Sequence, residues 1–509
     1  MRYVIANRLS GQGDRRRSRA AADAAEAILG GNADILRDTR PGSEEARRIF
    51  LVDVPADEIA GFAGELDPGL VIEPEWPRRP GLCAAGPVDG LVAAQGPRPP
   101  DPGWGASLRC TLRAAGRGIS DARALLVLLP VAGGGAGSRM ETRSDKDGQV
   151  AFDYDPKVFF PYFLAVEPRS CYWSAIHPYP QPDAVIELRL IGKTGPDAWW
   201  RQAVGLAGHD PDRGAGIRIG LVDTGVGPHP YLAHVKGMGA LVDGDAAMSA
   251  EAALDARGHG THVAGLIGAR PVADSGDFAG GAPGAEMAAI RVFSETGGGN
   301  QGDIAEAIDI LAVDFEADLI NLSFGAAEPS AIERDAIAAA LEVGCLSVAS
   351  AGNQNGAPVF FPAAYPETLA VTALGLVGAA PAGSLSAASM PAQAGFYAQG
   401  GYFVANFANL GHELSCAAPG VGIISTVPGR PETVAPYAEM SGTSMAAPMA
   451  TAALASLLSA DPHYRDQPRG PARIARAAAV IASRLAWIGL PPAMAGHGVL
   501  IGHPSRGTG

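Results

Sequence analysis

Lysine is nearly missing from this chain: only four of its 39 basic residues are Lys, and 53 acidic residues outnumber them. With a formal net charge of -14 and no basic run, the chain lacks the electrostatic footprint of a partner for nucleic acid or anionic membrane. Aromatic residues make up 6%, and no run of about 20 clearly apolar residues occurs. The most apolar stretches are Ala124 to Ala132, broken by Pro130, and Ser444 to Ala460, diluted by Ser and Thr; both read as buried core. Cysteine is scarce and odd in number. Cys83, Cys110, Cys171, Cys345 and Cys416 lack metal-ligand spacing, so nothing demands an oxidising compartment. Met1 to Ser10 holds no apolar h-region, which leads us to expect a cytoplasmic enzyme, with secretion left open.

Glycine and proline are abundant, at 67 and 41 residues, and imply many turns without a collagen-like period. A chain of 509 residues suggests roughly three domains. Residues 1–76 read as a small α+β unit in the order β-α-(β)-β-α-β, with strands near Arg2 to Asn7, Arg48 to Val54 and Gly69 to Glu73. Residues 77–103 are dense in Pro and Gly and read as a linker. Residues 104–192 look all-β, a small sandwich in which Asp145-Lys146-Asp147-Gly148 is a hairpin signal. From Trp199 to His503 strands and helices alternate, which predicts a parallel sheet covered on both faces.

Four short motifs in that last region carry chemistry. The strand Ile217 to Val222 ends in Asp223-Thr224-Gly225, a carboxylate at the carboxyl end of a strand, well placed to orient a partner. Gly258-His259-Gly260-Thr261-His262 sets an imidazole suited to general-base work at the start of a helix. His259 and His262 could also be a metal pair, but no Glu stands between them and no third ligand is evident. Ser441-Gly442-Thr443-Ser444 leads into small residues and Pro448, so Ser444 sits near a helix start, where N–H groups favour developing negative charge. Ala351-Gly352-Asn353 ends a strand, and the Asn amide is a suitable oxyanion donor. Each motif alone has an ordinary reading: an N-cap for Ser444, a turn residue for Asn353.

Together, in the chain order Asp, His, Asn, Ser, they resemble the subtilisin-like serine peptidases. Gly281-Ala282-Pro283-Gly284, Asn321-Leu322-Ser323-Phe324-Gly325 and Ala417-Ala418-Pro419-Gly420 are similar to further family segments. The resemblance implies an α/β subtilisin-like peptidase domain over 199–503, with Asp223, His259 and Ser444 as triad and Asn353 as oxyanion donor. It makes His262 structural. Gly297, Gly298 and Gly299 form one wall of the substrate cleft, Ser323, Phe324 and Gly325 the other, and Ala351 and Gly352 lie near the pocket base. The expected partner is a protein or peptide bound as an added strand. The N-terminal unit looks like the family's inhibitory prodomain, an intramolecular inhibitor. The rival reading is a catalytically silent subtilisin-like peptide-binding module. No cofactor is expected to be required. Calcium stays open but unsupported, because Ala269 to Gly280 offers only Asp274 and Asp277 where about six to eight oxygens are needed.

Overall fold

The computed structural model describes residues 1–11, 15–39, 46–55, 59–80, 104–133, 137–192, 198–271, 278–429 and 436–503. The N-terminal elements run β1 (Arg2–Asn7), α1 (Arg15–Asn32), β2 (Asp34–Asp38), β3 (Ile49–Asp53), α2 (Ile59–Glu65) and β4 (Leu70–Pro74), then β5 (Pro77–Pro80). The first four strands form one antiparallel sheet in the order β2-β3-β1-β4. Strand β1 is apolar along most of its length because both of its faces are covered. Tyr3 and Ile5 pack with Ala22, Ala25 and Leu29 of α1, while Val4 and Ala6 join the core of the large C-terminal unit. The expected linker is corrected at its start: Pro77–Pro80 is a strand, not free chain. Residues 81–103 lie outside the described residues.

The middle region contains β6 (Ser107–Ala114), β7 (Arg123–Pro130), β8 (Ser138–Arg143), β9 (Gln149–Asp153), β10 (Phe159–Glu167), β11 (Ala175–Pro178) and β12 (Ala184–Glu187). One sheet has the order β9-β6-β12 and the other β11-β10-β7-β8. Leu108, Leu112, Leu126, Leu128, Val150 and Leu164 fill the space between them. The Asp145–Gly148 turn forms, with Gly148 at φ 80° and the Asp145 carboxylate accepting from the N–H groups of Asp147 and Gln149, both at 2.9 Å. It does not make a hairpin. Strand β8 pairs with β7 and β9 with β6, so the turn carries the chain from one sheet to the other. Local turn chemistry reverses the chain; which neighbour the next strand joins is decided by packing.

The C-terminal unit is an α/β structure around an 11-stranded mixed sheet. Its parallel core includes β13 (Arg218–Asp223), β14 (Lys236–Val242), β15 (Glu286–Arg291), β17 (Leu319–Leu322), β19 (Leu346–Ser350), β20 (Thr368–Leu376) and β21 (Cys416–Pro419). The expected parallel sheet is joined by antiparallel additions, where Asp245–Ala247, Tyr402–Val404 and Leu485–Ala486 pair antiparallel. Helices α3 (His259–Gly268) and α6 (Thr443–Ala460) share one face's core, and α4 (Gln301–Val313) and α5 (Ala331–Glu342) the other's. Short strands β16 (Gly299–Asn300) and β18 (Phe324–Gly325) lie outside the main sheet. Helix α6 is long and apolar enough to cross a membrane, but 89% of it is buried inside the molecule, as a core helix requires. Cys110, Cys171, Cys345 and Cys416 are unpaired, and Cys83 lies outside the described residues.

Candidate active site

Asp223 ends β13, and His259 is the first residue of α3. The Asp223 carboxylate and His259 Nδ1 are 2.6 Å apart, with both side chains buried. Asp223 Oδ1 also accepts from the Thr224 N–H at 2.7 Å, which orients the carboxylate. His259 Nε2, the opposite ring nitrogen, has no hydrogen-bond partner among the described residues.

What brings strand end and helix start together is Asp255, which the motif reading passed over. Gly258, the residue before α3, adopts φ 94° and has no side chain to cap the helix. Asp255 caps it instead. Its carboxylate accepts from the N–H groups of Arg257, Gly258 and Thr261, each at 2.8 Å, and from the Thr261 hydroxyl at 2.5 Å. The Thr224 hydroxyl donates to Asp255 at 2.8 Å and accepts from the Gly260 N–H at 2.9 Å. Burial pushes the Asp255 carboxyl above its ordinary range, while these donors pull it down. A sequence signal existed: Asp followed three residues later by Gly, just before a helix, is an Asx-type cap.

Ser444 is the second residue of α6. Pro448 lies four residues on and has no N–H, so it cannot satisfy the Ser444 carbonyl as a normal helix would. The Ser323 hydroxyl does so, donating to that carbonyl at 2.9 Å. In return the Ser444 hydroxyl donates to the Ser323 carbonyl at 3.1 Å. Asn321 Nδ2 donates to the Ser323 hydroxyl at 2.9 Å, and Thr451 donates to Asn321 Oδ1 at 3.1 Å. A helix-breaking residue thus becomes the reason that α6 is tied to β17. Asn353 follows β19, and its Oδ1 accepts from the Thr443 N–H and hydroxyl, each at 2.9 Å. That pairing turns the amide nitrogen away from Thr443. Gly352 donates to the Thr443 hydroxyl at 3.1 Å, and Ala351 is buried beside it.

His262 is fully buried, its Nε2 3.1 Å from the carbonyls of Ile423 and Ala438. Burial, with His259 nearby, pushes its pKa down to about 3, so it stays neutral and serves as a clamp between strands. Among the described residues no three His, Cys, Asp or Glu gather as metal ligands, and Asp274 and Asp277 lie outside them.

Residues Gly297 to Gly299 and Ser323 to Gly325 face each other across a gap that the chain itself fills. Strand β5 lies between β16 and β18 as the centre of a three-stranded antiparallel sheet. Gly299 pairs with Arg78, Phe324 with Pro80 and Gly325 with Arg79. A Cβ on Gly298 would meet the Arg78 carbonyl oxygen at 2.5 Å, so this wall must be glycine for a strand to approach so closely. The Arg257 guanidinium donates to the carbonyls of Glu295, at 3.0 Å, and Gly297, and holds the wall in place.

A parallel α/β sheet with a buried Asp–His pair and a serine at a helix start is the architecture of a serine hydrolase. Residues 214–487 match the family model described as Subtilase family. The chain belongs to the subtilase family of serine endopeptidases. It is similar to Subtilisin Savinase of Lederbergia lenta, at 32% identity over 251 residues, or 49% of this chain and 79% of the relative. An Alkaline protease of Alkalihalobacillus alcalophilus is 32% identical over 251 residues, 49% of this chain and 56% of that protein. A Thermophilic serine proteinase of Bacillus sp. (strain AK1) is 36% identical over 247 residues, 48% of this chain and 52% of that protein. The chain therefore spans about half the length of the latter two. These likenesses favour a peptidase acting on protein or peptide substrates over a silent binding module.

Proposed function

We propose that Asp223, His259 and Ser444 work as a catalytic triad in peptide-bond hydrolysis, and that the N-terminal unit inhibits the site in cis. The observation that carries the reading is the buried Asp223–His259 pair at 2.6 Å, with the opposite ring nitrogen unengaged among the described residues. In the reaction the Ser444 hydroxyl leaves the Ser323 carbonyl, by rotation about χ1, and donates to His259 Nε2. The imidazole then accepts the proton as Oγ attacks the carbonyl carbon, and later delivers it to the leaving amine. Asp223 keeps the Nδ1–H tautomer in place and stabilises the imidazolium. The Asn353 amide nitrogen and the Ser444 N–H, at the positive end of α6, stabilise the oxyanion. Substrate binds as an added strand between Gly297–Gly299 and Ser323–Gly325, with Ala351 and Gly352 at the pocket base. Support for inhibition in cis is β5, which occupies that position.

Ser444→Ala should abolish hydrolysis of casein and labelling by a fluorophosphonate. Asn353→Ala should cost about 10²–10³-fold in kcat, a magnitude taken over from the family. Mass spectrometry of the purified chain is the sharpest test: a shortened chain in wild type but not in Ser444→Ala indicates self-processing. Full activity in Ser444→Ala would sink the triad reading.

A further inference from the structure

Arg78 is fully buried, although it sits on a four-residue strand between the two walls of the cleft. Its Nε and Nη2 donate to the two carboxylate oxygens of Glu333 at 2.8 and 2.9 Å, and both side chains are 0% exposed. Glu333 lies in the first turn of α5, 255 residues away in sequence, and among the described residues Arg78 supplies the partners of its side-chain oxygens. Withdraw Arg78 and this carboxylate loses both charge-assisted bonds, in a geometry that only a planar guanidinium satisfies at two points. A buried carboxylate without a partner is costly, so the site discriminates against any occupant that cannot replace the guanidinium.

The pairing belongs to the ligand position, not to the framework. Strand β5 sits where substrate is proposed to lie, and Arg78 pairs there with Gly299. Pro80 pairs with Phe324, so a ligand strand continuing in the same register sets its next residue opposite Ser323, the residue whose carbonyl accepts from Ser444. The arginine position is then three residues before the one whose carbonyl Ser444 attacks.

We propose that Glu333 is a specificity-determining residue that selects peptides carrying arginine at this position, and that Arg78 occupies the subsite as a built-in substrate mimic. The inference rests on the serine-peptidase reading of the cleft. It is independent of the residue at the scissile bond itself.

The test uses the full chain carrying Arg78→Ala, so that its own strand no longer fills the Glu333 site. Two fluorogenic peptides are compared, acetyl-Arg-Ala-Pro-Phe-coumarylamide and its citrulline counterpart, which keeps the shape and loses the charge. The arginine peptide should have a kcat/KM higher by on the order of 10- to 100-fold. A lysine peptide should fall between them, since it cannot bond both oxygens at once. Adding Glu333→Gln should bring the arginine-to-citrulline ratio close to one. If that double variant does not fold, the three-peptide ranking in Arg78→Ala alone decides. Fluorophosphonate labelling without preference for the arginine peptide overturns the role of Glu333, as does a preference that survives Glu333→Gln. A chain that, after its N-terminal unit has been trimmed by trypsin, neither reacts with the fluorophosphonate nor digests casein overturns the peptidase reading beneath it.

Discussion

The N-terminal unit and the β-sandwich region both lie against the large α/β unit, and both contacts have an apolar centre, but they differ in charge. In the first, Val4, Ala6, Ile49, Leu51 and Val71 join the core of the large unit, and arginines on one side meet carboxylates on the other. Arg37 meets Asp303 at 2.5 Å and Glu306 at 2.6 Å, and Arg47 meets Asp309 at 2.8 Å and Asp335 at 2.6 Å. Glu73 returns the pattern by capping α5, accepting from the Ala331 N–H at 2.8 Å and from the Ser330 hydroxyl. The second contact is apolar at its centre, where Leu125, Val127, Phe163 and Ala165 close over Leu385. It adds backbone bonds such as Cys171 N–H to the Tyr437 carbonyl and Ile176 N–H to the Gly383 carbonyl, both at 2.7 Å. The ion pairs of the first contact depend on protons and on complete pairing, whereas apolar packing depends on neither.

The comparison can be broken by experiment, best in a Ser444→Ala background where self-processing cannot intervene. Arg47→Ala should have the largest effect. It leaves buried Asp335 without its guanidinium, at a cost of about 3–5 kcal/mol, and should let the N-terminal unit melt or be trimmed by trypsin before the rest. A single transition unchanged from the parent would show that the charges do not hold this unit. Leu125→Ala should cost about 2–4 kcal/mol by cavity formation, with the loss the same at pH 5.5 and pH 7.5. A strongly pH-dependent loss would refute the apolar character of that contact.

The smallest effect concerns the carboxylates under Arg37. Burial outweighs the arginine and pushes Glu306 up to about 7 and Asp303 up to about 6. The folded chain therefore holds protons on these groups that the unfolded chain has released. Their contribution to stability falls as pH rises from the ordinary carboxylate range toward about 7. Asp335 behaves oppositely, because burial raises it but Arg47 and its other donors hold it below the ordinary value, so its contribution is lost only in acid. Glu306→Gln should reduce the drop in Tm between pH 5.5 and 7.5 measured by scanning fluorimetry. An unaltered slope would mean that Glu306 does not titrate in that window.

Several elements were legible because their signals are local. Strand β13 ends at Asp223, where the Gly turn follows, as the motif predicts. The strand Ala124 to Leu129 reads as fully buried, and it is, between the sandwich core on one face and Leu385 on the other. Strand β5 was not legible. Pro77-Arg78-Arg79-Pro80 has neither alternation nor β-branched residues, and its prolines offer no N–H; it is extended because the two cleft walls pair with it. The Asp145–Gly148 turn was read correctly as a turn and wrongly as a hairpin, since the partner of β9 lies some 40 residues back, in β6.

The sequence by itself determined the chemistry of the site: an Asp at a strand end, a His and a Ser at helix starts, and an Asn between them in chain order. Each depends on a turn or cap built by its immediate neighbours, so residue types and spacing suffice to specify it. Only the tertiary structure decided what surrounds that chemistry. It used Ser323 to replace the hydrogen bond that Pro448 cannot donate, and buried Arg78 against Glu333. These contacts join residues up to 255 positions apart through packing, and no local pattern in either partner announces the other.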